Sequence, residues 1–237
     1  MSRRQLRGVA EVSAAIDAGQ PISLLLMIED EASPAAVELA GRAEALGIDV
    51  RRESERELRR MCAGEVAVEL LGLEGPPAMQ TLDELMASDG IVFLLVGLRY
   101  PGNVGYILRC LEVAGGAGVV LDTDWAAAQR DEALRVGMRA DRFFPVIDAD
   151  SGDALLSARA AGRRIVALET SGRLAPWEVS LKGPLVVLVG SETTGIPDSV
   201  LGEVDELVTI PANGFIPSYN VQAAVGIILG EWMRQTA

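Results

Sequence analysis

From Ile91 to the C-terminus, short apolar segments rich in β-branched residues alternate with stretches of helical periodicity, and this alternation limits the fold more than any other feature of the chain. Ile91–Val96, Val119–Leu121, Arg164–Leu168, Leu185–Val189 and Leu207–Ile210 read as strands, mostly bounded by turn residues. Strands that are apolar at consecutive positions are buried on both faces, and intervening helices supply the crossovers that parallel pairing requires. The pattern predicts an α/β domain with a mainly parallel sheet covered on both sides. Residues 1–75 read as a separate small α/β unit. It comprises a helix over 9–18, a strand over Ile22–Ile28, a helix over Ala35–Leu46 closed by Gly47, a short strand over Ile48–Arg51 and a charged helix over Ser54–Cys62. Gly72-Leu-Glu-Gly-Pro-Pro-Ala has linker composition. The expected organisation is 1–75 for the small unit, 76–88 for a linker and 89–237 for the large domain.

The 237-residue chain contains no histidine. That excludes Ser-His-Asp and Cys-His catalysis, His-ligated metals and histidine general bases. Cys62 and Cys110 are the only cysteines, too few for a structural zinc site or a disulfide framework, so no metal is expected. No apolar run approaches the ~20 residues of a membrane span, and Glu11 and Asp17 interrupt the residues after the basic start. These features predict a cytoplasmic protein without a membrane partner. Acidic residues number 34 against 21 bases, for a net charge of −13, which opposes approach to a polyanion. Only Lys182 among the bases is lysine; the rest are arginine, the better bidentate phosphate ligand. A nucleic-acid partner must therefore be met by a local arginine patch. Arg51, Arg52, Arg56, Arg59 and Arg60 lie close together with Glu53, Glu55 and Glu57 interleaved. This fits either an RNA-facing surface or a solvated face of ion pairs.

Three loops come after the C-terminal ends of predicted strands, where open α/β sheets bind ligands. The first runs from Gly97 to Arg109; Asn103 is expected to cap a helix whose apolar side is Ile107, Leu108, Leu111 and Ala114. Arg109 lies off that side, in line with Gly102 and Tyr106, and is either functional or paired with Glu112. The second, Val189-Gly-Ser-Glu-Thr-Thr-Gly195, succeeds the most apolar strand, and its glycines allow a ligand close to the backbone. In the third, the strand ending at Ile210 enters a Pro/Gly/Asn loop and then a helix. Ser218 or Asn220 is the expected N-cap, and Val221, Ala224, Val225, Ile228, Leu229 and Trp232 form its apolar stripe. Neither a Walker Gly-Lys-Ser/Thr nor a Gly-x-Gly-x-x-Gly fingerprint is present.

Taken in order, Pro101-Gly-Asn-Val-Gly-x-x-x-Arg109, Gly190-Ser-Glu-x-x-Gly195 and Ile210-Pro…Ser218-Tyr-Asn-Val221 resemble the three motifs of the SpoU/TrmH family. Its members are S-adenosylmethionine-dependent RNA 2′-O-ribose methyltransferases of the knotted SPOUT class. The resemblance covers the chain from about Ile91 to the end. More loosely, the N-terminal unit is similar to the small ribosomal-protein-like RNA-binding domain that many members carry. The resemblance implies a C-terminal α/β trefoil-knot domain, a rare departure from unknotted topology. It also implies a homodimer, S-adenosylmethionine bound within the knot, and rRNA or tRNA as substrate. It assigns Gly190, Ile210 and Tyr219 to the cofactor and Asn103, Arg109, Glu192, Ser218 and Asn220 to the polar active-site set. Arg109 would hold a phosphate beside the ribose and stabilise alkoxide charge, since arginine is very hard to deprotonate.

The chain departs from the family pattern at Tyr100, where many members have Asp, at Thr193, in place of a frequent Gly, and at Tyr219, in place of a frequent Leu. Arg139-Ala-Asp-Arg142 stands where many members have a small Gly-Ala pair. With Arg135 it would form a face at helical spacing, either a substrate patch or merely solvated. With the acidic balance, these departures keep open a knotted methyltransferase with a small-molecule or other non-RNA acceptor, and a non-catalytic RNA- or cofactor-binding relative.

Overall fold

A computed structural model of the chain describes residues 4–62, 68–75, 78 and 81–237. Residues 76, 77, 79 and 80 of the expected linker lie outside the described residues. The chain divides into two compact units, Met1–Ala78 and Met79–Ala237.

The first unit contains β1 (Gln5–Arg7), α1 (Gly8–Asp17), β2 (Ile22–Ile28), α2 (Pro34–Ala45), β3 (Val50–Glu53), α3 (Glu55–Met61) and β4 (Leu70–Glu74). Its sheet has the order β1-β4-β2-β3, with β2 and β3 parallel and β4 antiparallel to both neighbours. Leu6, Val12, Leu25, Met27, Leu39 and Leu70 are among its core residues. Gly72 to Glu74, read from sequence as linker, belong to β4 instead. A glycine is useful here because an added Cβ would lie 3.3 Å from the Leu6 Cβ. On the charged helix, Arg59 pairs with Glu55 and Arg60 with Glu57, each at 2.9 Å, while Arg51 pairs with Asp49. Exposed pairs of this kind contribute little to stability.

The second unit contains α4 (Leu82–Ala87), β5 (Ile91–Val96), α5 (Pro101–Val113), β6 (Gly118–Asp122), α6 (Ala127–Val136), β7 (Val146–Asp148), α7 (Ser151–Ala160), β8 (Arg164–Leu168), β9 (Leu185–Val189), α8 (Asp198–Leu201), β10 (Glu206–Val208) and α9 (Val221–Thr236). Helix α4, capped reciprocally by Thr81 and Glu84, occupies part of the segment expected to be linker. The strands form one sheet of order β10-β8-β9-β5-β6-β7, and every pairing is parallel. Alternation along β5 explains the continuous apolar sequence. Ile91, Phe93 and Leu95 join a core with residues of α5 and α9, whereas Val92, Leu94 and Val96 join a second core with residues of α4 and α7. Strand β9 divides in the same way between Val187 and Val189 on one face and Val186 and Leu188 on the other. Among the described residues, no helix is long and apolar enough to cross a membrane.

Two sequence expectations change. Asn103 does not cap its helix: α5 starts at Pro101 after Tyr100, with no side-chain cap, so Asn103 lies inside the first turn. Arg135, Arg139 and Arg142 do not share a helical face, because α6 ends at Val136 and the chain then passes through left-handed conformations at Met138 and Arg139. Arg139 pairs with Asp131 at 2.7 Å, and Arg135 lies 3.9 Å from the same carboxylate.

At the N-terminal end of the sheet, Arg163 is 2% exposed. Its guanidinium donates to the carbonyls of Met86, Gly90, Leu185, Leu85 and Ser88, linking the end of α4 to the starts of β5 and β9. Desolvation lowers its pKa, which the charge of Asp89 partly offsets. At the edge of the sheet, Asp205 accepts from the Ile165 N–H at 2.7 Å and from Arg159, fixing the entry to β10. Desolvation raises the Asp205 pKa. The Ile165 N–H, hydrogen bonds from Arg159 and the charges of Arg159 and Arg164 outweigh it and leave the carboxyl below its ordinary value.

Replacing Arg163 by Met removes a donor from five carbonyls, of which those of Gly90 and Leu85 keep backbone N–H partners, and should destabilise the protein by about 3 kcal/mol or more. Lysine, with fewer donors and no planar fork, should recover less than half of that loss. An unfolding free energy from urea titration of Arg163→Met within about 1 kcal/mol of wild type would show that the network is dispensable. Because Asp205 has a depressed folded-state pKa, it stabilises the fold above the ordinary value of 3.8, and this contribution disappears as pH falls through the lower folded value. Asp205→Asn should therefore reduce stability more at about pH 7 than at about pH 2.5; equal losses at both, measured by urea titration, would rule out the linkage.

Candidate active site

All strands of the second sheet run in one direction, so the loops after β5, β8, β9 and β10 leave from the same end. Strand order also reverses there: the chain adds β6 and β7 on one side of β5, then crosses to place β8 and β9 on the other. Open α/β sheets bind ligands at such switch points. Here the loops enclose a cleft of about 1100 Å³, lined by residues of all four loops and of α5, α6 and α9. Its apolar lining includes Leu168, Val189, Ile196, Leu201, Ile210 and Val221.

A chain of polar side chains crosses the cleft. Asn103 Nδ2 donates to Glu192 Oε1 at 2.8 Å, and the Arg99 backbone N–H donates to Glu192 Oε2 at 3.3 Å. Asn220 Nδ2 approaches Asn103 Oδ1 at a longer 3.4 Å. Asn220 is also the N-cap of α9, where its Oδ1 accepts from the Gln222 N–H at 2.9 Å. One residue from each of the three sequence motifs therefore takes part in a single network, although they are separated by up to 117 positions in the chain. The network fixes the asparagine amides in one orientation, with Asn103 donating to the Glu192 carboxylate.

Close backbone approach shapes the loop after β9. Ser191 and Gly195 exchange two backbone hydrogen bonds, and a Cβ on Gly190 would lie 2.4 Å from the Gly195 carbonyl carbon. Only glycine fits at position 190. A second close approach positions α6: a Cβ on Gly105 would lie 2.6 Å from the Ala133 carbonyl oxygen. This contact places Glu132, the neighbour of Ala133, at the cleft wall.

Asn103, Glu192, Ser218 and Asn220 of the expected active-site set line the cleft, as do Gly190, Ile210 and Tyr219 of the expected cofactor set. Arg109 does not line it. Its side chain is exposed on α5, about 9 Å of helical rise beyond Asn103. Ser218 does not cap α9; Asn220 does. Sequence reasoning passed over Glu169, whose carboxylate accepts from the Ile196 N–H at 3.2 Å and the Thr170 N–H at 2.9 Å. It ties the ends of β8 and β9 together. Its position directly after an apolar parallel strand, within Glu-Thr-Ser-Gly, was the available signal.

The residues present fit a nucleoside cofactor carrying a positive sulfur centre. Among the described residues, the backbone N–H groups of Ile210, Ser218 and Tyr219 donate to no protein acceptor, leaving donors beside apolar walls for a heterocycle and its sugar. The charged lining consists of Glu132, Glu169 and Glu192, with no arginine or lysine among the described lining residues, a field that favours a cation. No group of three or more His, Cys, Asp or Glu able to hold a metal occurs among the described residues.

The chain is similar to known proteins in sequence and in fold. The 23S rRNA (adenosine(1067)-2′-O)-methyltransferase of Streptomyces laurentii is 31% identical over 203 residues, 84% of this chain and 74% of that protein. An AdoMet-bound rRNA methyltransferase from Sinorhizobium meliloti superposes with a TM-score of 0.64 at 26% identity, covering 99% of this chain and 88% of its own. The SpoU methyltransferase AviRb from Streptomyces viridochromogenes, in complex with AdoMet, gives a TM-score of 0.59 at 23% identity over 99% of this chain and 90% of its own; at that identity the likeness concerns the fold. A family model described as the SpoU rRNA Methylase family matches residues 90–230, the span that carries the parallel sheet, the cleft and all three motifs. This chain belongs to the SpoU rRNA methylase family.

Proposed function

We propose that this protein transfers a methyl group from S-adenosylmethionine to a ribose 2′-hydroxyl of rRNA or tRNA. The observation that carries the reading is the Glu192–Asn103–Asn220 network, which unites the three motifs around one cleft. The cofactor, when bound, supplies an electrophilic methyl group on a positively charged sulfur. The protein must align an oxygen nucleophile with it and stabilise the charge that develops as the hydroxyl loses its proton. Gly190, Ile210 and Tyr219 hold the donor through backbone groups at the cleft floor. Asn103, held by Glu192, and Asn220, held by the start of α9, orient the acceptor ribose, with Ser218 beside them. Arg109 contacts the phosphate next to that ribose and stabilises alkoxide charge; a guanidinium is not a proton acceptor at neutral pH.

The working form in this reading is a cytoplasmic homodimer whose C-terminal segment forms the knot, with the small unit 1–75 contributing to RNA binding. Exposure of Arg109 away from its own cleft favours a role for it at the cleft of a second copy. A second reading, a small-molecule acceptor, is favoured by the carboxylate lining of the cleft.

Labelled S-adenosylmethionine incubated with unmodified 16S and 23S rRNA transcripts and tRNA should label RNA and protect one linkage from alkaline cleavage. Label found only in small molecules would overturn the RNA reading. Arg109→Ala should reduce transfer by about 100-fold or more while S-adenosylmethionine affinity stays near wild type. Mixing Arg109→Ala with Asn220→Ala should recover measurable activity if the arginine serves the partner's cleft. Near-normal turnover by Arg109→Ala alone would remove it from the mechanism.

A further inference from the structure

We infer that Tyr100 and Tyr106 form the stacking surface for the acceptor base, so that the target nucleotide is unpaired or drawn out of its stack when it reacts. This rests on the RNA methyltransferase reading and specifies how that site recognises its substrate. Both rings line the cleft, and they are 59% and 51% exposed. Tyr100 is the extended residue just before α5 and Tyr106 lies one turn after Asn103 on the helix, and all three line the cleft. Neither tyrosine hydroxyl makes a hydrogen bond to the protein among the described residues. Two large rings thus face solvent beside the polar network without a structural partner for their polar ends, whereas buried tyrosines normally find one.

Charge decides which part of an RNA can occupy this wall. The cleft presents Glu132, Glu169 and Glu192 and no basic side chain among its described lining residues. A phosphate entering it would be repelled, but a neutral base would not. Exposed arginines instead flank the aromatic pair in the same segment, Arg99 before Tyr100 and Arg109 after Tyr106. The arrangement suits a splayed nucleotide: the base against the rings, the ribose at Asn103 and a flanking phosphate on Arg99. Aromatic side chains stack bases in this way in single-stranded RNA sites, and every base has a face that stacks. Extrusion of a base from a helix costs a few kcal/mol, least where it is already unpaired.

The test measures methyl transfer to unmodified 23S rRNA transcript and to tRNA for wild type, Tyr100→Ala, Tyr106→Ala and Tyr106→Phe. Each alanine variant should raise the KM for RNA roughly ten- to a hundredfold and leave S-adenosylmethionine affinity, thermal melting and sedimentation mass unchanged. Tyr106→Phe should behave as wild type, because the ring and not the hydroxyl does the binding. Unchanged RNA KM in both alanine variants would overturn the inference. So would a phenylalanine variant as impaired as alanine, or a loss of assembly in the alanine variants, which would show that the rings pack against a second copy. If wild type labels RNA and the alanine variants match it, this inference alone fails; if wild type labels no RNA, the functional reading fails and takes the inference with it.

Discussion

A strand buried on both faces has no position for a polar side chain, and the central strands β5 and β9 obey that constraint at every residue. The sheet can therefore carry chemistry only at its two ends. Parallel pairing makes those ends unlike each other, because every strand begins at one and finishes at the other. The beginning is sealed by a cation: Arg163, itself 2% exposed, gathers carbonyls from the end of α4 and the starts of β5 and β9. The other end is open and holds the cleft. Stability and function thus use polar groups at opposite ends of the same apolar layer, and substitution at one need not disturb the other.

At the open end, precision depends on missing side chains as much as on present ones. Gly190 lets the loop after β9 fold back on itself, which places Glu192 where it can receive both Asn103 and the Arg99 backbone. Gly105 lets α5 and α6 meet at backbone distance, and Gly172 does the same for the loop after β8, where a Cβ would lie 2.6 Å from the Val208 carbonyl carbon. Loops are usually the mobile part of an α/β protein. Here the loops after β5, β8 and β9 are held by backbone contact or by a carboxylate, as Glu169 holds the start of its loop to Ile196. A site built from such loops can orient a small electrophile and a sugar oxygen in a chain that has no histidine.

The legible part of the fold came from periodicity. Strands β2, β5, β8 and β9 carry the same bounds in the sequence reading and the structure, because four to six consecutive apolar residues leave little freedom. Strand β4 escaped because Gly72 and the nearby Gly-Pro-Pro dominate local composition, while its pairing with β1 and β2 is supplied by residues far away in the chain. The arginine face at Arg135, Arg139 and Arg142 failed for a similar reason. Helical spacing says nothing about where a helix stops, and left-handed backbone at two non-glycine residues has no local signature. The cleft residues were legible through motif order, yet the identity of their partners was not: Asn103 looked like a cap and proved to be a ligand of Glu192. Glu132 and Glu169 had no motif to announce them, since a carboxylate acquires its meaning from what faces it.

The acidic character of the protein then becomes consistent with a polyanionic substrate. A net charge of −13 would oppose RNA if the site met phosphate directly, but phosphate is not what the cleft must contain. Its carboxylates attract a sulfonium donor, and methyl transfer removes that positive charge, so the same field that favours the donor holds the spent cofactor less strongly. The base and ribose that enter opposite are neutral and indifferent to the field at first order. In the proposed complex, phosphate recognition falls to arginines outside the cleft. Separating the two charge requirements in this way would let one small site prefer a cation and still act on a polyanion, with the nucleotide opened out before it reacts.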